Sequence, residues 1–481
     1  MKKINNIIPL LLVFLLYMLS LGSCKKEQTT QRILLPPPSK DTIPPVANAG
    51  DDKNIDLPDN IFLTLNSSRS SDAYTDQLQF SWNKISGPPV QQIENINTSS
   101  PVFMLSTEGN YTFELTVKSP HSKLEDKDTI LVTATWNNAC SKNRSILTPQ
   151  LTLVSASPVQ ISGSSSQCSA GNKIFFAGGY IDELPNRNSS HIDIYDLSKN
   201  SWTRKEMGSP KAVISPVAAG NKVLFAGGES ENYNPISDVD IYDLSNQSLT
   251  TLQLGQARSG IAAVALGNRV FFAGGSNGQL SSDRVDILDL SDNSWDIARL
   301  SEARGTISAV SDGQKIYFAG GQNNWNSNNT LDTYDNSLGQ WTAEKMSVPA
   351  KGNAAFFANN QLFFYGGTYN GNGTDFTAGK SVDIFDLVTH QKTADCLISR
   401  FPQYQINQSS VALLNGSVYL LSVNNGIINV YNTVEKTWSW TYIGLDFSSI
   451  FSVENELYVA KFLADDRNGY IGKFQIYRLH F

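Results

Sequence analysis

One phrase returns along the chain: "KIFFAGG" ending at Gly179, "KVLFAGG" at Gly228, "RVFFAGG" at Gly275, "KIYFAGG" at Gly321 and "LFFYGG" at Gly367. The spacings are 49, 47, 46 and 46 residues. A fixed period of this size means that one supersecondary unit is used repeatedly, and it constrains the fold more than any other feature. Before each glycine pair lies a short apolar run, as in "AVISPVAAG", "SGIAAVALG" and "GTISAVSDG". After it comes a polar loop, then "HIDIYDLSKNSW", "VDIYDLSNQSL", "VDILDLSDNSW", "LDTYDNSLGQW" or "VDIFDLVTHQK". Alternating apolar runs bounded by Gly, Asn, Asp and Ser make each unit four short strands. A sixth unit, "SSVALLNGSVYLLSV" with "INVYNTVEKTW", lacks the glycine pair. A seventh, "SSIFSVENELYVAKF" with "GKFQIYRLHF", stops one strand short, and "PQLTLVSAS" upstream of the first unit is available to supply that strand.

The glycines read as structural. A phosphate-cradling loop needs GxGxxG or GxxxxGK[ST] leading into a helix, whereas "AGGSNGQ" leads into the strand "RVDILDL". Asp193, Asp240, Asp286, Asp332 and Asp383 recur at one position of the unit, as do Trp202, Trp295 and Trp341, so they read as scaffold. The period, the four strands and the glycine pair after an aromatic strand resemble the kelch repeat. The resemblance implies a seven-bladed β-propeller over residues 148–481, with six blades as the rival count, closed by the upstream strand pairing into the last blade.

The N-terminus begins with Lys2 and Lys3, an apolar run and "LGSC". The run is too short and too close to the start to be a membrane span, so residues 1–23 read as an export signal. "LGSC" resembles the bacterial lipobox, which implies that Cys24 becomes the lipidated first residue, anchored to the outer membrane on its periplasmic side or at the cell surface. An ordinary signal with a chance cysteine is the alternative. Residues 24–43 are polar, then proline-rich, as in a tether. Residues 44–135 alternate as a β-sandwich of immunoglobulin-like size. "PPVANAGDDKNIDLP", "SWNKISGP" and "GNYTFELTV" resemble the polycystic-kidney-disease (PKD) family, which places Trp82, Tyr111 and Phe113 in the core and implies a spacer or adhesive role. Asp51, Asp52 and Asp72 lack a complete calcium-ligand string and read as solvated turn residues. Residues 136–147 form a linker. "DTI" at Asp41 and Asp128 resembles a short O-glycosylation motif of Bacteroidetes-type bacteria. The expected fold class is thus all-β, a sandwich followed by a propeller.

Formal net charge is −7, which argues against a general nucleic-acid binder. His121, His191, His390 and His480 show no metal-ligand spacing, and no cofactor motif appears. Beyond Cys24 the chain has Cys140, Cys168 and Cys396, an odd number. Cys140 and Cys168 are the nearer pair, and a bridge between them would tie the linker to the propeller. Three unpaired thiols are the alternative.

Function is expected where the units differ. In an up-and-down blade the loops joining strands two and three share a face with the connections between blades. Here these loops are long and dissimilar, and they carry Tyr180, Tyr233, Trp325 and Tyr369 among Asn and acidic residues. Long variable loops on a rigid scaffold are common binding sites. Lys211, Arg258, Arg304 and Lys351 each open a first strand, where a partial ring of cations at the channel mouth would receive a carboxylate. The competing reading has the cations satisfying loop carbonyls and the aromatics packing locally. Some extracellular kelch propellers are enzymes, such as galactose oxidase and the sialic-acid mutarotases. The scattered histidines do not suit the oxidase's copper site, and no GxSxG turn or Ser/His/Asp set is present. The preferred expectation is a non-enzymatic envelope lipoprotein that binds a glycan or protein through its propeller and meets the membrane through its lipid alone. The alternative is a mutarotase-like enzyme acting on an acidic sugar.

Overall fold

The computed structural model describes residues 43–57, 61–73, 77–136, 144–181, 187–323, 326–350, 354–365, 381–398, 410–423, 426–465 and 471–481. Among them there is no α-helix, and every regular element is a β-strand.

The first unit is a two-sheet sandwich. One sheet runs in the order Lys53–Leu57, Glu125–Trp136, Gly109–Lys118, Gln79–Ser86, and the other in the order Phe62–Thr64, Val102–Leu105, Val90–Glu94. Gly109–Lys118 shows why the alternation folds this way. Tyr111, Phe113, Leu115 and Val117 point inward and are fully buried, while the residues between them face outward. Trp82 is buried from the opposite strand, and the Tyr111 hydroxyl donates to the Thr107 carbonyl.

Among the described residues seven sheets follow, and each opens on a short strand beside a central channel. These innermost strands are Ser166–Ala170, Ser215–Ala219, Ala262–Leu266, Ser308–Ser311, Ala354–Ala358, Val411–Leu414 and Phe447–Val453. Each neighbours the next, and the last lies against the first, so the ring closes. Within a sheet the strands run antiparallel in chain order, as in Ser166–Ala170, Lys173–Ala177, His191–Asp196 and Ser201–Glu206. The last sheet takes its outermost strand from upstream: Gln150–Ala156 pairs antiparallel with Ile471–His480. That is the place the sequence assigned to residues 149–157, and the pairing covers an otherwise open edge.

Each core between neighbouring sheets is aromatic. Trp202 joins Phe451 and Tyr458 of the last sheet, Trp295 joins Leu224 and Val239 of the second, and Trp341 joins Phe271 and Val285 of the third. The repeated tryptophans therefore glue sheets together rather than face a ligand.

The sandwich packs on the propeller. Its core is continuous with Ile398, Ile427 and Trp440, and the rings of Phe62 and Tyr442 meet edge to face at 5.6 Å. The linker's end is tied down as well. Ser145–Ile146 adds in parallel to Thr437–Tyr442, and Arg144, its side chain 1% exposed, pairs with Asp395 at 2.8 Å and lies over the Trp438 ring. The sandwich is thus docked on the sixth sheet, not only strung ahead of the propeller.

Candidate functional site

The repeated cations are the first correction. Lys211, Arg258 and Arg304 are fully buried. Lys211 pairs with Asp240 at 2.7 Å and Arg304 with Asp332 at 2.6 Å, and Arg258 pairs with Asp286. Each also donates to a strand carbonyl: Lys211 Nζ to Phe225 O, Arg258 Nη2 to Phe272 O and Arg304 Nη2 to Phe318 O. A cation with a buried counter-ion and carbonyls around it has no charge left for a ligand, so these three do not form a carboxylate-binding ring. Lys351 lies outside the described residues.

The same residues explain the glycine pairs. The amide of Gly179 donates to Lys211 O at 3.0 Å, that of Gly228 to Arg258 O at 3.1 Å and that of Gly275 to Arg304 O at 3.0 Å. Each second glycine thereby staples its blade to the next. At Gly228, with φ of 109°, a Cβ would sit 2.4 Å from Ala212 O, so only glycine fits. Where the cation is missing, its acid changes partner. Asp193 of the first blade binds Arg204 Nε at 2.7 Å, and in the sixth blade the place belongs to Asn429, whose amide both donates to and accepts from the Ile398 backbone.

The loop-bearing face departs from this lattice at the junction of the first two blades. Ser162 stands where the cations stand elsewhere, and its Oγ donates to Tyr180 O at 2.7 Å. The Tyr180 amide donates to Ser164 Oγ at 2.8 Å, and its phenol donates to Glu229 Oε2 of the second blade at 3.5 Å. Burial and the neighbouring Glu229 carboxylate push the Tyr180 phenol up to about 12, so it stays a hydrogen-bond donor at neutral pH. Asn188 holds the Glu229 backbone by donating to its carbonyl at 2.7 Å. Tyr233, from the same loop as Glu229, is 57% exposed.

Below this junction runs the central channel, a cavity of about 940 Å³ bordered by innermost strands of six blades. Among the described residues no Asp, Glu, Lys, Arg or His borders it. Its first-blade wall is the polar run Ser164, Ser165, Ser166, Gln167, Cys168 and Ser169, while Val217, Ala263, Ile307, Val310 and Phe451 line other sides. Two β-branched residues at the blade openings, Val213 and Thr306, are held at φ of 53° and 49°, a region such side chains avoid. The third blade reaches the same turn with Gly260, at φ of 59°.

Of the loop aromatics, Tyr180 is half-buried and hydrogen-bonded and Tyr233 is exposed, while Trp325 and Tyr369 lie outside the described residues, as do Cys24 and Cys140. Cys168 is a free thiol, and Cys396 is disulfide-bonded, so the Cys140–Cys168 bridge does not form. Asp51 pairs with Arg69, and Asp52 accepts from the Leu131 amide. Among the described residues no group of three His, Cys, Asp or Glu side chains is arranged to hold a metal. Sequence reasoning missed Ser164, Asn188 and Glu229 as partners of Tyr180. A signal was present in "SGSSSQCSA", which is polar where the other units carry Ile, Val and Ala.

Residues 163–343 match the KLHDC2/KLHL20/DRC7 Kelch-repeats domain, and residues 49–134 match a PKD domain. The chain carries a Kelch-repeat propeller and a PKD-like sandwich. The Kelch match lies within the first four blades, where the glycine pairs are regular and blades two to four carry the buried cations. Kelch propellers and PKD domains are typically interaction modules, and Kelch propellers typically bind proteins, which supports a binding role for this chain.

Proposed function

We propose that this Kelch-repeat chain is a cell-envelope lipoprotein of the outer membrane, anchored through Cys24, whose propeller binds a glycan or protein ligand on its loop-bearing face. The observation that carries the reading is the Tyr180–Glu229 contact, which joins loops of two blades above the open channel. An exposed aromatic, a carboxylate and hydroxyls converge there on a rigid frame, the usual make-up of a recognition site. The docked sandwich carries the propeller as one piece with it. The acidic-sugar enzyme alternative loses cations it would have used, since Lys211, Arg258 and Arg304 are already paired.

The test compares the exported chain with Tyr180→Ala and Glu229→Gln for binding to isolated cell envelopes and to printed glycans. Loss of binding in both variants at unchanged melting temperature supports the site. Equal binding by all three proteins overturns it. Globomycin-sensitive processing and loss of membrane association in Cys24→Ser test the anchor separately.

A further inference from the structure

The described channel wall offers no charged partner to a charged ligand. Among the described residues no acid or base borders the cavity, and Lys211, Arg258 and Arg304 nearby are buried in ion pairs. Beside Tyr180 the described residues place the Glu229 carboxylate, with exposed Glu231 two residues on, and exposed Arg187 on the Tyr180 loop. A carboxylate, whether of an acidic sugar or of a polypeptide C-terminus, would meet Glu229 with none of those three cations free to offset it. An ammonium group held by Glu229 would have to leave water to go deeper, which is unfavourable between uncharged walls. A neutral, polyhydroxylated ligand meets neither penalty.

Such a ligand also matches the walls. The polar first-blade strand faces apolar surfaces of Ala, Val, Ile and Phe, as a sugar has hydroxyl edges and C–H faces. At the mouth, Glu229 accepts hydroxyl hydrogens, Ser164 is exposed, and Tyr233 offers an open ring. A second, independent observation lies in the backbone. Val213 and Thr306 hold branched side chains at left-handed φ beside the channel opening, although Gly260 shows that glycine makes this turn without strain. Val213 is 40% exposed, so its side chain does not repay that strain by burial. Strain that fold packing does not account for is what a ligand-contacting side chain would leave.

Resting on the reading that this mouth is the ligand site, we infer that it takes the uncharged end of a carbohydrate chain, with a sugar ring against Tyr233 and Val213 and its hydroxyls on Glu229 and Ser164.

The experiment uses the full exported chain and a panel of neutral di- to tetrasaccharides of glucose, galactose, mannose and N-acetylglucosamine. Calorimetry reads affinity, and the Val213→Gly and Tyr233→Ala variants read location. At least one saccharide is expected to bind. Val213→Gly is expected to keep or raise the melting temperature while weakening that saccharide about tenfold, the effect of one lost favourable contact. Tyr233→Ala should weaken it by at least as much. Absence of binding by every saccharide, or binding that both variants leave unchanged, overturns the inference. Short peptides with blocked termini form the second arm. If they bind in place of saccharides and are lost in Glu229→Gln, the carbohydrate inference falls and the binding-site reading stands. If binding of either class ignores Tyr180→Ala and Glu229→Gln, both fall.

Discussion

Arg304 and Asp332 meet at 2.6 Å with side chains 0% and 2% exposed, and Arg258 with Asp286 repeats the arrangement one blade earlier. A buried pair of this kind contributes little over an apolar substitute, but it is costly to break, because the survivor is left charged and dry. Arg304→Ala or Asp332→Ala should each destabilise the propeller by about 3–5 kcal/mol. The double variant Arg304→Met with Asp332→Leu should lose much less than the two singles together. Urea unfolding of the four proteins checks this, and additive losses would contradict it.

The stapling glycines should tolerate no side chain. Gly228→Ala puts a Cβ against Ala212 O at 2.4 Å and holds alanine at φ of 109°. The expected loss is at least about 2 kcal/mol, beyond the usual strain of a left-handed residue alone. Gly220→Ala is the control. Gly220 also has positive φ, but its Cβ would meet nothing within 4 Å, so it should lose less.

Acid should loosen the fourth blade in a defined window. Lys345 at 2.8 Å and Asn328 at 2.7 Å hold the Glu302 carboxyl down at about 2. A carboxyl lowered in the folded state stabilises the fold above its unfolded value of about 4.3, and the contribution is lost as pH falls from there toward 2. Glu302→Gln should flatten the stability profile in that interval and leave it unaltered in shape above pH 5. Identical profiles for the two proteins would show that the Lys345 contact contributes nothing, as exposed pairs sometimes do.

The cysteines should separate cleanly on a non-reducing peptide map. Cys168 should be recovered as a free thiol and Cys396 in a cross-linked peptide. With Cys168 excluded, the partner is Cys140 or Cys24, and Arg144, four residues after Cys140 in the sequence, bonds to Asp395 and to the Cys396 carbonyl. A Cys140–Cys396 peptide is the expected result. Burial pushes the Cys168 thiol up to about 12, so its alkylation at neutral pH should be slow until the protein is denatured.

Contact between the domains should respond to a single ring. Tyr442→Ala removes the edge-to-face partner of Phe62 and opens the apolar seam with Ile398, Ile427 and Trp440. Small-angle scattering should then show a larger radius of gyration, with the two domains still folded. An unchanged radius would mean that the Arg144 anchor alone fixes the sandwich.

The sequence by itself determined the repeat, the four-stranded unit, the closing strand and the sandwich, because these depend on patterns local to one unit. Period-two alternation and glycine at a positive φ are legible wherever they occur, and repetition makes them legible several times over. It also marked Asp240, Asp286 and Asp332 as scaffold. It did not show what those acids hold. Lys211 and Arg258 lie 29 and 28 residues from their partners along the chain, and whether a strand-opening cation turns toward the channel or into its own blade depends on the sheet's twist and packing. Only the tertiary structure decided that they turn inward, where pairing with a buried acid satisfies both charges. The same holds for the site. Tyr180 was legible as a loop aromatic, but its phenol meets Glu229 from the next repeat, 49 residues away, and that distance closes only when neighbouring blades pack side by side.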